Sequence, residues 1–208
     1  MAQYQALTAT GDVSRETCER LQIYADQLTT WNRKINLVSP STIPDLWTRH
    51  ICDSVQLAAL AKTPRTWIDL GSGAGLPGLL VAAVLQERNP GFQMTCVESD
   101  RRKAIFMIET NRKMGLDVNI VNKRIEALDE TRYDVVSARA LTDLSRLLNY
   151  ADRLCAPDGI CLFPKGSKAN AELTTARSAW HMEAEKIPSL TDHTACILRI
   201  KEFSRVAD

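Results

Sequence analysis

The segment from Asp69 to Gly78 has the residue types of a ligand-binding loop. It reads Asp-Leu-Gly-Ser-Gly-Ala-Gly-Leu-Pro-Gly, with four glycines in its last eight positions. Because glycine has no Cβ, such a loop turns tightly and brings backbone N–H groups close to a ligand. Pro77 favours the start of a helix, and the free N–H groups of a helix N-terminus attract a carboxylate or phosphate. The loop therefore predicts an anionic or nucleotide-like ligand rather than a purely structural turn.

Two kinds of adenosine cofactor could use this loop. Gly73, Gly75 and Gly78 spell G-x-G-x-x-G, the fingerprint of nicotinamide dinucleotide enzymes. Asp69 stands at the expected strand tip, where its charge would repel a pyrophosphate but suits the cationic end of a methionine moiety. Gly71 begins the turn, so Gly78 is expected inside the following helix. These two details favour S-adenosylmethionine, and a nicotinamide-dependent reductase stays open as the alternative.

A second acidic residue follows where an adenosine site needs one. Glu98 ends the apolar run over residues 94–97, about 20 residues after the loop. A carboxylate at that place accepts hydrogen bonds from the ribose hydroxyls of an adenosine cofactor. Both kinds of cofactor use it, so Glu98 indicates adenosine and not methyl transfer as such.

The composition excludes several classes of protein. Of the 208 residues, 45% are hydrophobic and 25% charged, as in an ordinary globular domain. No apolar run approaches the roughly 20 residues that span a bilayer, and residues 1–11 lack the pattern of a signal peptide. The six cysteines are scattered with no C-x-x-C pair, which argues against a zinc site and a disulfide framework. We expect a cytoplasmic monomer with no metal and no membrane partner.

The basic residues are few enough to exclude a non-specific nucleic-acid binder, since the net charge is +1. Local clusters could still form a rim that contacts RNA phosphates. The candidates are Arg33, Lys34, Lys123, Arg124 and Lys165. Solvated helix faces are the alternative interpretation of any single pair. The low net charge predicts a structured ribonucleoprotein as the substrate in preference to free RNA.

The hydrophobic pattern changes near residue 65. Before it, one helix is predicted after Ser14 as N-cap and a second with Pro44 in its first turn. After it, short apolar runs alternate with helical segments. Strands are predicted over residues 66–70, 93–97, 118–121, 133–138 and 160–163, and around 184–187 and 195–200. Helices are predicted over residues 77–88, 101–114, 142–154 and 169–182.

Strand–helix alternation at this spacing predicts a Rossmann-like α/β fold, with a doubly wound and mostly parallel sheet of seven strands. In such sheets the ligand binds beyond the carboxyl ends of the strands. The site is therefore expected near the residues that closely follow a strand, which are Gly71, Glu98, Arg124 and Arg139.

Five motifs, in order along nearly the whole chain, resemble those of the bacterial 16S ribosomal RNA guanine-N7 methyltransferase family. They are W-N…N-L at residues 31–37, R-H-x-x-D-S at 49–54, the glycine loop with its proline at 69–78, the alanine-flanked arginine at 137–140, and K-G at 165–166. A lone glycine loop would not be specific, but five motifs at such spacing are. One departure is Glu98, where the family pattern has aspartate.

The resemblance implies a class I S-adenosylmethionine-dependent methyltransferase core over residues 66–208, with an N-terminal helical extension over residues 1–65 in one compact unit. It implies that the substrate is 16S rRNA within the small ribosomal subunit, methylated at N7 of one guanine in the decoding region. Cofactor contacts carry over to Gly71, Leu76, Ile125, Glu126 and Arg139. The complete expected cofactor set adds Asp69, Gly73, Gly75 and Glu98.

The residues permit methyl transfer without a general base. Guanine N7 has an exposed lone pair in the plane of the base, so catalysis can depend on alignment and electrostatics. Arg139 is the first catalytic candidate, holding either the methionine carboxylate or the target base. Lys165 is the second, as a phosphate contact. The structural alternative for Arg139 is an ion pair with Asp143.

His50 and Asp53 lie one turn apart, and their expected role is to fix the helical extension onto the sheet. Pairing of Arg49 with Asp53 is an alternative for the same segment. Two further functions stay open. One is a class I methyltransferase for a small molecule or protein, and the other is a non-catalytic protein that senses an adenosine ligand.

Overall fold

Seven strands form a single sheet in a computed structural model of the chain, which describes Leu7 and residues 13–206. The strands are β1 (Thr66–Leu70), β2 (Gln93–Val97), β3 (Val118–Val121), β4 (Tyr133–Ala138), β5 (Cys155–Lys165), β6 (Trp180–Pro188) and β7 (Cys196–Arg205). Their order is β3-β2-β1-β4-β5-β7-β6. β1 to β5 pair in parallel, and β7 runs antiparallel to both of its neighbours. The expected doubly wound, mostly parallel sheet is confirmed.

The order reverses at β1, which lies between β2 and β4. The chain leaves β1 toward β2 and β3 on one side, and later returns to β4 on the other. This is the topological switch point, where the loops diverge and leave a crevice beyond the strand ends. The glycine loop follows β1 and so lies in that crevice.

Within residues 13–206, six helical segments of eight residues or more cover the two faces of the sheet. They are α1 (Arg15–Asn32), α2 (residues 47–60), α3 (Gly78–Arg88), α4 (Arg101–Met114), α5 (Leu144–Leu154) and α6 (Ala169–Ala176). Successive residues of β1 point to opposite faces, because side chains alternate along a strand. Trp67 accordingly joins the core that includes α1 to α4, and Ile68 joins the core of α5 and α6.

Between residues 13 and 65 the predicted N-terminal extension is mainly helical. Ser14 caps α1 by accepting a hydrogen bond from the Thr17 N–H at 3.0 Å. α2 is irregular, with a π-helical part (Trp47–Cys52), a short α-helical part (Asp53–Val55) and a 3₁₀ part (Gln56–Leu60). A separate 3₁₀ turn, Pro40–Thr42, precedes it. Residues 1–6 and 8–12 lie outside the described part, and the domain boundary at residue 65 stays a prediction.

Several predicted bounds need correction. Pro44 lies in a turn ahead of α2, and the helix predicted over residues 142–154 begins at Leu144, with Asp143 as its N-cap. The helix predicted over residues 169–182 ends at Ala176, and β6 begins at Trp180. Trp180 and His181, the last part of that predicted helix, instead pair with β7. Long-range strand pairing therefore outweighs the weak helical pattern of these residues. Among the described residues, no helix combines the length and apolarity needed to span a bilayer.

Candidate active site

Two neighbouring cavities open where the parallel strands end. The glycine cavity has a volume of about 370 Å³, and its lining includes Gly71, Gly73, Glu98, Lys103, Lys123, Arg124, Ile125, Glu126, Arg146 and Tyr150. The arginine cavity has a volume of about 560 Å³, and its lining includes Thr42, Arg49, His50, Asp53, Arg139, Lys165, Glu172, Thr191, Asp192 and His193. Ala140 and Thr142 line both cavities, so the two meet there.

Gly73 forms part of the floor of the glycine cavity. Its φ of +56° is in the left-handed region that side chains disfavour. A Cβ added to it would have no atom nearer than the Gly71 carbonyl oxygen, 3.9 Å away. Such a Cβ would meet no packed side chain, and the space beside the loop backbone is therefore left for a ligand.

Glu98 directly follows β2, and its carboxylate is hydrogen-bonded to the glycine loop. Its Oε2 accepts a hydrogen bond of 2.8 Å from the Gly73 N–H, and its Oε1 accepts one of 2.8 Å from the Asp100 N–H. A carboxylate has about four acceptor positions, so two stay available. Because Glu98 is mostly buried yet lines the cavity, these positions suit the hydroxyls of a ribose.

Asp69 lies beneath the loop and does not reach either cavity. It is fully buried, and its two oxygens accept hydrogen bonds from the Ser137 hydroxyl at 2.7 Å and the Gly78 N–H at 3.2 Å. The expected direct contact with a methionine moiety is therefore wrong. Burial raises the pKa of Asp69 to about 6, against the lowering effect of its hydrogen bonds. The residue fixes the start of α3 onto β1 and so shapes the loop.

The contact with Asp69 also fixes the role of Gly78. Gly78 was expected inside the helix and is the first residue of α3, and its N–H donates to Asp69 and not to a ligand. Gly75 and Leu76 do not line the glycine cavity, where the loop contributes Gly71 and Gly73. Packing of Gly75 against Leu79 gives it a structural role.

Ile125 and Glu126 lie across the glycine cavity from the loop, in the 3₁₀ turn Ile125–Ala127 that follows β3. Ile125 is buried and provides an apolar wall. The carboxylate of Glu126 accepts a hydrogen bond of 2.6 Å from the Tyr150 hydroxyl, which is the main cause of its lowered pKa. An apolar wall beside a hydrogen-bond acceptor suits an adenine ring, whose amino group is a donor.

Arg139 lies in the arginine cavity and pairs with Asp53, not with Asp143. Its Nη1 donates to Asp53 Oδ2 at 3.1 Å, and its Nη2 lies 2.6 Å from His50 Nδ1. The alternatives of an Arg139–Asp143 pair and an Arg49–Asp53 pair are therefore wrong. The expectation for His50 and Asp53 is also incomplete, because both line the cavity as well as joining α2 to the sheet.

His50 is neutral in this setting. Desolvation by burial, followed by the charges of Arg139 and Arg49, lowers its pKa to about 4. A neutral imidazole has one acceptor nitrogen, and a guanidinium has only donors. The short contact between the guanidinium group and the imidazole ring is therefore a hydrogen bond from Arg139 to His50.

The ammonium group of Lys165 is hydrogen-bonded to other residues of this protein. Its ammonium group donates to the Glu172 carboxylate at 2.7 Å and to the Thr142 carbonyl at 3.0 Å. The side chain is only 9% exposed. The expected contact with an RNA phosphate is thus corrected to a structural one, because a paired and buried ammonium has little left to offer a phosphate.

The other basic candidates lie near the cavity mouths. Lys123 and Arg124 line the glycine cavity itself. Lys34 lines a small groove together with Arg102 and Lys103, and Lys103 also lines the glycine cavity. Lys103 therefore adjoins both the groove and the cavity, and the groove lining also includes Asp100, which pairs with Arg102. Arg33 is exposed beside Lys34.

Sequence reasoning missed several residues of the site. They are Thr42, Thr142, Tyr150, Thr191 and Asp192, which line one or both cavities. Hydroxyl and carboxylate groups in turns are too common to single out without the fold. Only Tyr150 could have been found from the sequence, because it lies four residues after Arg146 on a predicted helix, a spacing at which two side chains contact each other. No cluster of metal-ligand side chains occurs in the described part of the chain.

Comparison with known proteins identifies the family. The family model described as “GidB: rRNA small subunit methyltransferase G” matches residues 17–197. This chain belongs to that family. The match confirms the resemblance found in the sequence, and with it the methyltransferase class.

Members of the rRNA small subunit methyltransferase G family align over almost their full length. The protein of that name from Gluconobacter oxydans (strain 621H) is 50% identical over 194 residues, which is 93% of this chain and 98% of the relative. The one from Ruegeria sp. (strain TM1040) is 47% identical over 195 residues, or 94% and 95% of the two chains.

Solved structures support the fold. An O-methyltransferase from Bacillus cereus in complex with SAH superposes with a TM-score of 0.56, at 12% identity, covering 92% of this chain and 93% of that one. The predicted Rossmann-like methyltransferase fold is confirmed.

Proposed function

We propose that this chain transfers the methyl group of S-adenosylmethionine to N7 of a guanine in the decoding region of 16S rRNA, within the small ribosomal subunit. The observation that carries the proposal is the junction of the two cavities at Ala140 and Thr142. One cavity suits an adenosine cofactor, and the other is open beside it for the base that receives the methyl group.

The glycine cavity is the proposed cofactor site. Gly73 leaves open space beside the loop backbone, and Gly71 lets the Leu141 side chain approach the loop closely. Glu98 accepts from the ribose, and Ile125 with Glu126 faces the adenine. When bound, S-adenosylmethionine supplies a methyl group activated by a sulfonium. The family name and the SAH bound to the Bacillus cereus O-methyltransferase support this assignment.

The arginine cavity is the proposed site of the target base. A volume of about 560 Å³ exceeds what a single purine needs and leaves room for its ribose and phosphate. Arg139 lines the arginine cavity and directly precedes Ala140, which lines both cavities. Asp53 balances its charge, so that the guanidinium does not oppose a positively charged reactant.

Orientation is the main contribution of the protein to the reaction. The guanine N7 lone pair lies in the base plane and is free of a proton, so no side chain has to act as a general base. The walls of the arginine cavity fix the base, and the loop fixes the methyl donor. Asp53 and His50 hold Arg139 between them.

RNA outside the target nucleotide is proposed to lie on the basic surface formed by Arg33, Lys34, Lys103, Lys123 and Arg124. Phosphate contacts of this kind give affinity without sequence information. A monomer acting in the cytoplasm, where ribosomal subunits assemble, is part of the same proposal.

The test uses small subunits from cells that lack this protein. Purified enzyme and tritiated S-adenosylmethionine should label one guanine, and strand scission at N7-methylguanine maps it. Subunits from cells that contain the protein should accept no label. Label on a protein, a small molecule or another position of the base would contradict the proposal.

A further inference from the structure

We infer that His50 is a positioning residue, which holds the Arg139 guanidinium at the wall of the arginine cavity through a hydrogen-bond chain that starts at the backbone of Ser39. The catalytic consequence rests on the proposed function. The hydrogen-bond chain itself does not, because it follows from the donors and acceptors of four residues.

The first link fixes which ring nitrogen of His50 carries the proton. Thr42 Oγ1 donates its single proton to the Ser39 carbonyl at 2.7 Å. The same hydroxyl oxygen lies 2.8 Å from His50 Nε2 and must therefore accept there. Nε2 thus bears the proton, and Nδ1 of the neutral ring is left as an acceptor.

The second link uses that acceptor. Arg139 Nη2 lies 2.6 Å from His50 Nδ1, while Nη1 of the same guanidinium donates to Asp53. Two nitrogens of the planar group are thus held by two different partners. Asp53 is itself fixed, because its Oδ1 accepts from Thr191 at 2.9 Å and from Gln56 at 3.0 Å. A guanidinium held at both ends keeps one orientation.

The groups around His50 favour its neutral form. It is mostly buried, with Arg139 on one side and Arg49 on its own helical segment. The acidic neighbour Asp53 is already paired with Arg139, and Asp192 and His193 line the cavity from the β6–β7 turn. Protonation would place an N–H of His50 against an N–H of Arg139 and would break the link.

This chain of contacts gives the N-terminal extension a direct part in the site. Ser39 and Thr42 belong to the 3₁₀ turn Pro40–Thr42 and its cap, ahead of α2. The turn therefore sets the proton position on His50, and His50 sets Arg139. The extension is then a part of the active-site wall as well as a packing element.

The kinetic test compares His50→Leu with His50→Asn. Leucine removes the acceptor for Arg139, and we expect kcat/KM for small subunits to fall roughly ten- to a hundredfold, as for the loss of one hydrogen bond to a charged group. Asparagine places an oxygen close to the Nδ1 position, so it should recover most of that loss. Thr42→Val should lower activity more than Thr42→Ser. His181→Leu, on the exposed side of β6, is the control for histidine loss.

Nuclear magnetic resonance of ¹⁵N-histidine reads the proton position without any activity. The chain has three histidines, so loss of one signal set in His50→Asn assigns residue 50. We expect a protonated Nε2, an unprotonated Nδ1 and no titration from about pH 5.5 to about pH 8. In Arg139→Gln the ring should begin to titrate at a higher pH.

Three results would overturn the inference. They are a proton on Nδ1, an ordinary histidine titration in the wild-type protein, and wild-type kcat/KM in a folded His50→Leu variant. If the wild-type enzyme labels no small subunit, the proposed function fails instead. In that case the position of the proton on the His50 ring still shows whether the hydrogen-bond chain from Ser39 to Arg139 exists.

Discussion

The hydroxyl of Ser137 donates a hydrogen bond of 2.7 Å to Oδ1 of Asp69, and thereby joins β4 to β1 beneath the glycine loop. The same hydroxyl oxygen accepts from the Trp67 indole N–H at 2.9 Å. All three side chains are almost completely buried. A single serine therefore satisfies a buried donor and a buried acidic group at once.

Ser137→Ala should lower the free energy of unfolding by about 1–3 kcal/mol, because it leaves the Trp67 N–H and one Asp69 oxygen without a partner. Urea denaturation measures the change. Ser54→Ala is the matched control, since Ser54 is equally buried but only donates to the His50 carbonyl within its own helical segment. An equal loss in both variants would contradict the assignment.

The raised pKa of Asp69 predicts a defined pH dependence of stability. The folded value is about 6 and the reference value 3.8, so the folded state keeps its proton when the unfolded state has lost it. The contribution of Asp69 to stability is therefore greatest below pH 3.8 and falls as the pH rises to about 6.

Urea denaturation of wild type and Asp69→Asn across that pH range isolates the effect, because asparagine does not titrate. The stability of the wild type relative to the variant should decline as the pH rises. A difference that stays constant or increases would show that the carboxyl group is not protonated as inferred.

Gly73→Ala should weaken cofactor binding far more than it destabilises the fold. The left-handed φ of +56° costs an alanine about 1–2 kcal/mol, and its methyl group would also enter the glycine cavity. Gly115→Ala is the control, because Gly115 has a φ of +63° with open space around it, at the end of α4. Calorimetry with S-adenosylhomocysteine should show lost affinity in the first variant only.

Glu98→Gln should weaken S-adenosylhomocysteine binding by roughly tenfold or more, since it removes a charged acceptor from the ribose side. The amide would also place an N–H group beside the N–H of Gly73 or Asp100. Glu183→Gln, on the exposed face of β6, provides the control in the same calorimetric titration. Unchanged affinity in Glu98→Gln would remove this residue from the proposed site.

Arg33→Gln combined with Lys34→Gln should weaken binding of small subunits and leave cofactor affinity unchanged. The logarithm of the binding constant falls as the logarithm of the salt concentration rises, and each lost phosphate contact makes this slope less steep by about 0.7–0.9. Lys62→Gln with Lys201→Gln is the control, because both line a separate cavity among residues 60–64, 134–135, 156–160, 199 and 201. Equal effects of the two pairs would mean that the basic surface is not selective.

Local sequence determined much of this fold. The predicted bounds of four strands, β1 to β4, match the observed ones. A short apolar run between turn residues is too short for a helix and becomes buried as a strand. The glycine loop and Glu98 were also found from local sequence. A tight turn requires glycines, and an adenosine site requires a carboxylate at the end of the second strand. The largest error was in the tail, where residues 180–182 of a predicted helix belong to β6, and smaller errors were the position of Pro44 and the start of α5.

The tertiary structure alone decided how the charged side chains are partnered. Arg139 and Asp53 lie 86 positions apart, and no periodicity in either segment points to the other. Asp69 meets Ser137, which lies 68 positions away, because the sheet places β1 and β4 side by side, whereas Lys165 and Glu172 are only seven positions apart in the sequence. A residue type and its strand position are local properties, whereas the partner of a buried charge depends on every element that packs around it.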